Sequence, residues 1–104
     1  MDIQRRTTAK QTTVKLSGDI TIYDASTAKE ALLENVKGLD RKVLLNLEQI
    51  EELDTAGIQL LLMFQRLVHQ MGGDLETVAV SESAAQVLQV LRCEQALNMK
   101  GSAS

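Results

Sequence analysis

The sequence contains no proline and no tryptophan, and only one residue each of cysteine, histidine, phenylalanine and tyrosine. A lone cysteine, Cys93, excludes an internal disulfide and any zinc site built on a cysteine pair. One cysteine and one histidine, His69, leave metalloenzyme and Cys-His nucleophile schemes short of parts. Two aromatic rings cannot build a stacking platform for single-stranded nucleic acid. Basic residues are outnumbered 11 to 14, for a formal net charge of −3. Nucleic-acid binding would need clustered Lys and Arg on one face, so it is not expected. Glycine is sparse, and its only pair, Gly72-Gly73, has no lysine after it, which removes the phosphate loops of nucleotide-binding folds. The longest apolar run, Leu60 to Phe64, falls far short of the ~20 residues that cross a bilayer. Direct membrane insertion is therefore not expected. Met1 to Arg6 lacks the apolar stretch of a secretory signal, so a cytoplasmic location is expected. These absences leave the common catalytic schemes without parts, so an enzyme is not expected, nor any catalytic residue, metal or cofactor.

What remains is ordinary globular material. The chain has 104 residues, 44% apolar and 24% charged, which suits one domain. Leu, Ile and Val number 29, enough for a real core. Residues 3–7 read as a short edge strand followed by a turn at 8–11. Thr13 to Ser17 alternates polar and apolar, the mark of a strand with one buried face. Gly18-Asp19 ends or bends it. Asp24 to Lys37 reads as a helix with Ala25, Ala28, Leu32 and Val36 in one stripe. Either Asp24 or the Thr27/Glu30 pair can cap it, and Gly38 suits a left-handed stop. Val43 to Leu47 is a short apolar run of the kind found in central parallel strands buried on both faces. Thr55 to Met71 is the longest helix, Leu75 to Val80 a further strand, and Ser81 or Ser83 opens a last helix containing Ala84, Ala85, Leu88 and Leu91. Leu97 to Met99 reads as a final short strand. The order predicts an α/β fold: a mostly parallel central sheet with an antiparallel edge strand and helices packed on it.

The segment Asp54-Thr55-Ala56-Gly57-Ile58 joins a buried strand to the longest helix. Asp54 and Thr55 are both good caps, because a side-chain oxygen can accept from the unpaired N–H groups of a first helical turn. At 100° per residue, Thr55, Gln59, Gln65, Arg66, His69 and Gln70 share a polar arc. Ala56, Leu60, Leu61, Met63, Phe64, Leu67, Val68 and Met71 share the opposite, core-facing arc. Ile58 and Leu62 interrupt the polar arc beside Thr55. Apolar residues grouped on a polar face suggest docking, so Ile58, Gln59, Leu62 and Arg66 are the candidate partner-docking residues. His69 reads as a solvated surface histidine.

Several landmarks together resemble the STAS domain, named for sulphate transporters and anti-sigma-factor antagonists. They are Val14 to Ile20 with its Gly18-Asp19 bend, the Asp24-Ala25 helix start, the Val43 to Leu47 strand and the Leu53 to Ile58 loop. The resemblance spans residues 12–97. It implies a STAS-like domain over residues 1–99 with a flexible tail at 100–104. It implies Thr55 as the phosphoacceptor, with Asp19, Asp54 and Gly57 flanking it. It further implies a non-enzymatic interaction module, like an anti-sigma-factor antagonist, whose partner is an anti-sigma factor of serine/threonine-kinase type. Stand-alone domains of this kind also serve lipid-transport ABC ATPases and chemotaxis proteins, which is the alternative. Two features depart from the family pattern. Ala56 stands where many such antagonists have a second hydroxyl, and the last helix is short or missing.

A phosphate on Thr55 would add about −1.5 to −2 charge at a helix start, where backbone N–H groups converge. It is expected to bond those amides without unfolding the chain, and to act mainly on a docked partner.

Overall fold

The computed structural model describes residues 1–39 and 41–90. The elements in chain order are β1 (Asp2–Thr7), β2 (Gln11–Ile20), α1 (Ala25–Asn35), β3 (Lys42–Leu53), α2 (Thr55–Gln70), β4 (Asp74–Val80) and α3 (Glu82–Val90). The four strands form one sheet in sequence order. β1 pairs antiparallel with β2, while β2–β3 and β3–β4 are parallel. This is the expected class: helices supply the crossovers that parallel neighbours need, and a hairpin supplies the antiparallel edge. The hairpin turns at Thr8, whose N–H donates to the Gln11 carbonyl (2.8 Å).

Alternation builds the core. Thr12, Val14 and Leu16 of β2 are buried, and Thr13, Lys15 and Ser17 between them are half-buried. On β3, Val43, Leu45 and Leu47 are fully buried, whereas Leu44 and Asn46 are only partly covered. The run is therefore fully buried on one face, not both. β3 also continues to Leu53, well past the apolar run that announced it. The reason lies in its register. Lys15 pairs with Asn46 but Ser17 with Gln49, and Gly18 pairs with Ile50 but Asp19 with Glu52. Each step puts one extra residue into β3. Its buried positions then fall three apart, at Leu47, Ile50 and Leu53, so the period of two that marks a strand is lost. Gly18, at φ 90, bends β2 but does not end it, and pairing runs on to Ile20.

The helices follow from local chemistry. α1 buries Ala28 and Leu32, as its stripe predicts. Asp24 is its N-cap residue, but its side chain makes no capping bond and instead accepts from the Thr21 hydroxyl (3.1 Å). Gly38 follows at φ 79. The Arg5 guanidinium closes the C-terminal end, donating to the Asn35 carbonyl (3.0 Å) and the Lys37 carbonyl (2.8 Å), where the helix dipole favours a cation. α3 is capped by Ser81, whose Oγ accepts from the Ala84 N–H (3.2 Å). Ser83 instead ties α3 to β3, donating to the Glu51 carbonyl (2.9 Å). Leu91, Cys93, the expected strand at Leu97–Met99 and the expected tail lie outside the described residues.

α2 is the central packing element. Gly57, Ile58, Leu60, Leu61, Phe64 and Val68 are buried along it. Met71, expected in the core, is 42% exposed at the C-cap. Replacing Phe64 with Ala should cost about 3–5 kcal/mol by urea unfolding, and Met71→Ala should stay within about 0.5 kcal/mol. Comparable losses at both positions would show that α2 is rotated from the orientation described.

Candidate functional site

The C-terminal ends of β2 and β3 and the start of α2 meet at Asp54. Its backbone N–H donates to the Ile20 carbonyl (3.4 Å). Its Oδ1 accepts from the Gly57 N–H (3.0 Å), which caps α2. Its Oδ2 accepts from the Ile22 N–H (2.9 Å) in the β2–α1 loop. One carboxylate thus satisfies two N–H groups, one in its own helix start and one on a loop 32 residues away. These donors favour the charged form, so the Gly57 amide first, and then the Ile22 amide, hold the Asp54 carboxyl below its ordinary range, against a smaller opposing effect of burial.

Gly57 makes that closeness attainable. It is buried, and a Cβ there would collide with the Ile20 carbonyl oxygen and sit 2.7 Å from Leu53 Cδ1. The first turn of α2 can lie against the end of β2 only with a bare α-carbon.

With Asp54 as the cap, Thr55 becomes the first residue of the helix proper, and it is exposed. Its hydroxyl has no hydrogen-bond partner among the described residues. The two-way capping choice is settled in favour of Asp54. The Gly57 N–H is also already taken, so a phosphate on Thr55 would find that amide occupied. Asp19 sits across from Glu52 in the β2–β3 ladder, with a buried Oδ1 that has no hydrogen-bond partner among the described residues. Gln59 and Arg66 are exposed on α2, as is His69.

Two docking candidates need correction. Ile58 is 3% exposed and belongs to the core. Leu62 is half-buried and packs against that core. α2 touches both the sheet and α1, so its buried arc is wider than a stripe facing one neighbour. The polar arc beside Thr55 narrows accordingly.

The exposed apolar surface at this end lies elsewhere. Ile22 is 67% and Tyr23 95% exposed in the β2–α1 loop. A signal for this was present in the sequence. A large apolar residue just before a helix cap often packs on the fourth helical residue, but here that residue is Ala28, too small to hold Tyr23. Beside the loop runs an open groove of about 450 Å³, lined by Thr21 and Tyr23, by Glu51 and Glu52 of β3, and by Ser83 and Val87 of α3. Among the described residues, no group of three His, Cys, Asp or Glu side chains is placed to hold a metal ion, and no helix is long and apolar enough to cross a membrane.

Residues 3–99 match the family model described as Mlab, STAS domain. Solved structures share the fold at low identity. An anti-sigma-factor antagonist from Mycobacterium paratuberculosis superposes with a TM-score of 0.79 at 15% identity, over 97% of this chain and 86% of that one. The unphosphorylated anti-sigma-factor antagonist SpoIIAA gives 0.70 at 16%, over 97% and 90%. The phosphorylated form of SpoIIAA, the Bacillus cell-fate determinant, gives 0.63 at 14%, over 97% and 93%. The chain belongs to the STAS domain family.

Asp54→Ala should destabilise the fold by about 1–2 kcal/mol, the usual range for a lost cap, and Asp54→Asn should recover part of it. The clamp's folded pKa is lowered, so its contribution is complete above the ordinary Asp value of ~3.9 and fades as the pH falls through the folded value. The gap between wild type and Asp54→Ala in urea unfolding should therefore narrow below about pH 4. Gly57→Ala should cost about 1–3 kcal/mol from overpacking.

Proposed function

We propose that this member of the STAS domain family is a protein-interaction module, not an enzyme, whose partner binding is switched by phosphorylation of Thr55. The observation that carries this reading is the division of labour at the start of α2. Asp54 does the capping, which leaves the Thr55 hydroxyl exposed and without a structural task. Support also comes from SpoIIAA, which shares this fold and has been solved in unphosphorylated and phosphorylated forms.

The switch is electrostatic. A phosphate adds about −1.5 to −2 charge next to the Asp54 carboxylate. The cation on the same helical face, Arg66, lies eleven residues on, or about 16 Å of helix. That is beyond a Debye length of ~8 Å at physiological salt. The fold neither needs the phosphate nor neutralises it. A partner that covers Thr55 must desolvate the dianion or bring a cation of its own, and ~1.4 kcal/mol of unmet penalty is a tenfold loss of affinity.

The partner is of the anti-sigma-factor, serine/threonine-kinase type, and the setting cytoplasmic. A second reading keeps the switch and changes the client to a lipid-transport ABC ATPase or a chemotaxis protein. What favours it is Ala56, which leaves Thr55 as the single hydroxyl of the loop. Affinity capture with wild-type, Thr55→Ala and Thr55→Glu baits, read by mass spectrometry, tests both. A partner held by wild type and Thr55→Ala and reduced at least tenfold with Thr55→Glu is the expected result, and its identity selects the client. Equal capture by all three baits would refute the switch.

A further inference from the structure

We infer that the groove between the β2–α1 loop and α3 is the docking site for a cationic, amphipathic element of a protein partner, with Tyr23 as the apolar anchor on its wall and the exposed Ile22 next to it in the loop. The inference rests on the interaction-module reading and names the chemistry of the partner, but it does not depend on Thr55 being modified.

Three observations converge. The first is apolar display. Tyr23 is 95% and Ile22 67% exposed, side by side, in a chain with few other large apolar side chains at its surface. Such pairs are the usual anchors of interfaces, with tyrosine enriched among the residues that dominate binding. The second is rigidity. The loop is pinned at its base by the Ile22 N–H to Asp54 bond (2.9 Å) and by the Thr21 hydroxyl to Asp24 bond (3.1 Å). Little loop entropy remains to be lost on binding. The opposite wall is fixed by Ser83, bonded to the Glu51 carbonyl (2.9 Å).

The third is charge. Neither Lys nor Arg occurs between Lys15 and Lys29, between Lys42 and Arg66, or anywhere in β4 and α3. The groove is lined from the first two of these segments and from α3. Glu51, Glu52 and Asp54 line it, and Asp24 and Glu82 are the chain neighbours of the lining residues Tyr23 and Ser83. Among the described residues, the cations lie on β1, the hairpin, the first half of β2, α1 and the turn after it, the start of β3 and, beyond Thr55, the second half of α2 at Arg66. A surface that is apolar at one lip and anionic along its floor selects a partner with an apolar stripe flanked by Lys or Arg. An acidic partner, or a membrane of anionic lipid, would be repelled.

Tyr23 supplies its own reporter, since the chain has no other tyrosine and no tryptophan. The probe is a synthetic 16-residue amphipathic Leu/Lys helix, with a Leu/Glu helix of the same apolar face as its control. Full-length chain is titrated while Tyr23 emission and its quenching by acrylamide are followed. In the free chain Tyr23 should be quenched like free tyrosine. The Leu/Lys helix should shield it, and the Leu/Glu helix should not. Tyr23→Ser, followed by amide NMR shifts, and the Glu51→Lys/Glu52→Lys double variant should each weaken binding at least tenfold. Glu30→Lys/Glu34→Lys, the same charge reversal on the exposed face of α1, should change it less than twofold.

Equal weakening by the α1 reversal would mean attraction to net charge alone and would overturn the assignment. So would equal binding of both helices, or no binding. Shielding of Tyr23 in the free chain would mean that the groove is covered by residues 91–104 or by a second copy, with the same consequence. Failure here leaves the Thr55 switch standing. Equal capture by the three Thr55 baits leaves the groove standing.

Discussion

The carboxylate of Asp54, shared between the Gly57 and Ile22 amides, is the interaction on which this end of the molecule depends. It joins the β2–α1 loop to the first turn of α2 and holds the ends of β2 and β3 in line through its own N–H on the Ile20 carbonyl. The arrangement has a steric condition, a bare α-carbon at Gly57 facing that same carbonyl. It also has two consequences. Because Asp54 satisfies the helix start, the neighbouring Thr55 hydroxyl is released to solvent. Because Ile22 is pinned by its backbone, the side chains of Ile22 and Tyr23 are displayed instead of folded inward. Exposed hydroxyl and apolar loop are thus two products of one bridge.

Much of the fold was legible in the sequence because its signals are local. The alternation in β2, the stripe in α1, the caps at Ser81 and Gly38 and the long amphipathic run of α2 all announce themselves within a window of a dozen residues. The second half of β3 did not. Two extra residues entered its ladder with β2, and a bulged strand has no fixed period. The failure at Ile58 and Leu62 was of another kind. A helical wheel assumes a single packing direction, whereas α2 is covered by the sheet on one side and by α1 on another. Which arc of a helix is wet depends on how many neighbours it has, and that number is tertiary information.

The site itself was half legible. Residues 54–57 stood out as a loop-to-helix junction, yet Asp54 and Thr55 were chemically equivalent as caps until the third partner, the Ile22 amide, entered. Only the carboxylate has two oxygens to divide between two donors. A threonine at the cap could bond Gly57 but would leave the Ile22 N–H unmet. That non-local demand assigns the roles. It also accounts for the display of Ile22 and Tyr23, whose environment is fixed by a residue 32 positions away.

The segregation of charge is what would let so small a domain be both attractive and switchable, as proposed. With the cationic partner inferred above, the groove acids would act over distance, raising the encounter rate, an effect that does not require them to be fully buried. A phosphate on Thr55 acts at contact. It would arrive at an end of the fold where the Gly57 amide is committed to Asp54 and where neither the C-terminal half of β3 nor α3 carries Lys or Arg. If the partner's cations are matched to Glu51 and Glu52, the dianion at the rim is surplus on docking and must be desolvated unpaired. On the proposed reading, the same anionic end would recruit a basic partner quickly and release it when one more charge is placed beside Asp54. The sign of the proposed switch would be decided by whether the partner holds a cation in reserve for that position, because among the described residues neither the C-terminal half of β3 nor α3 offers one.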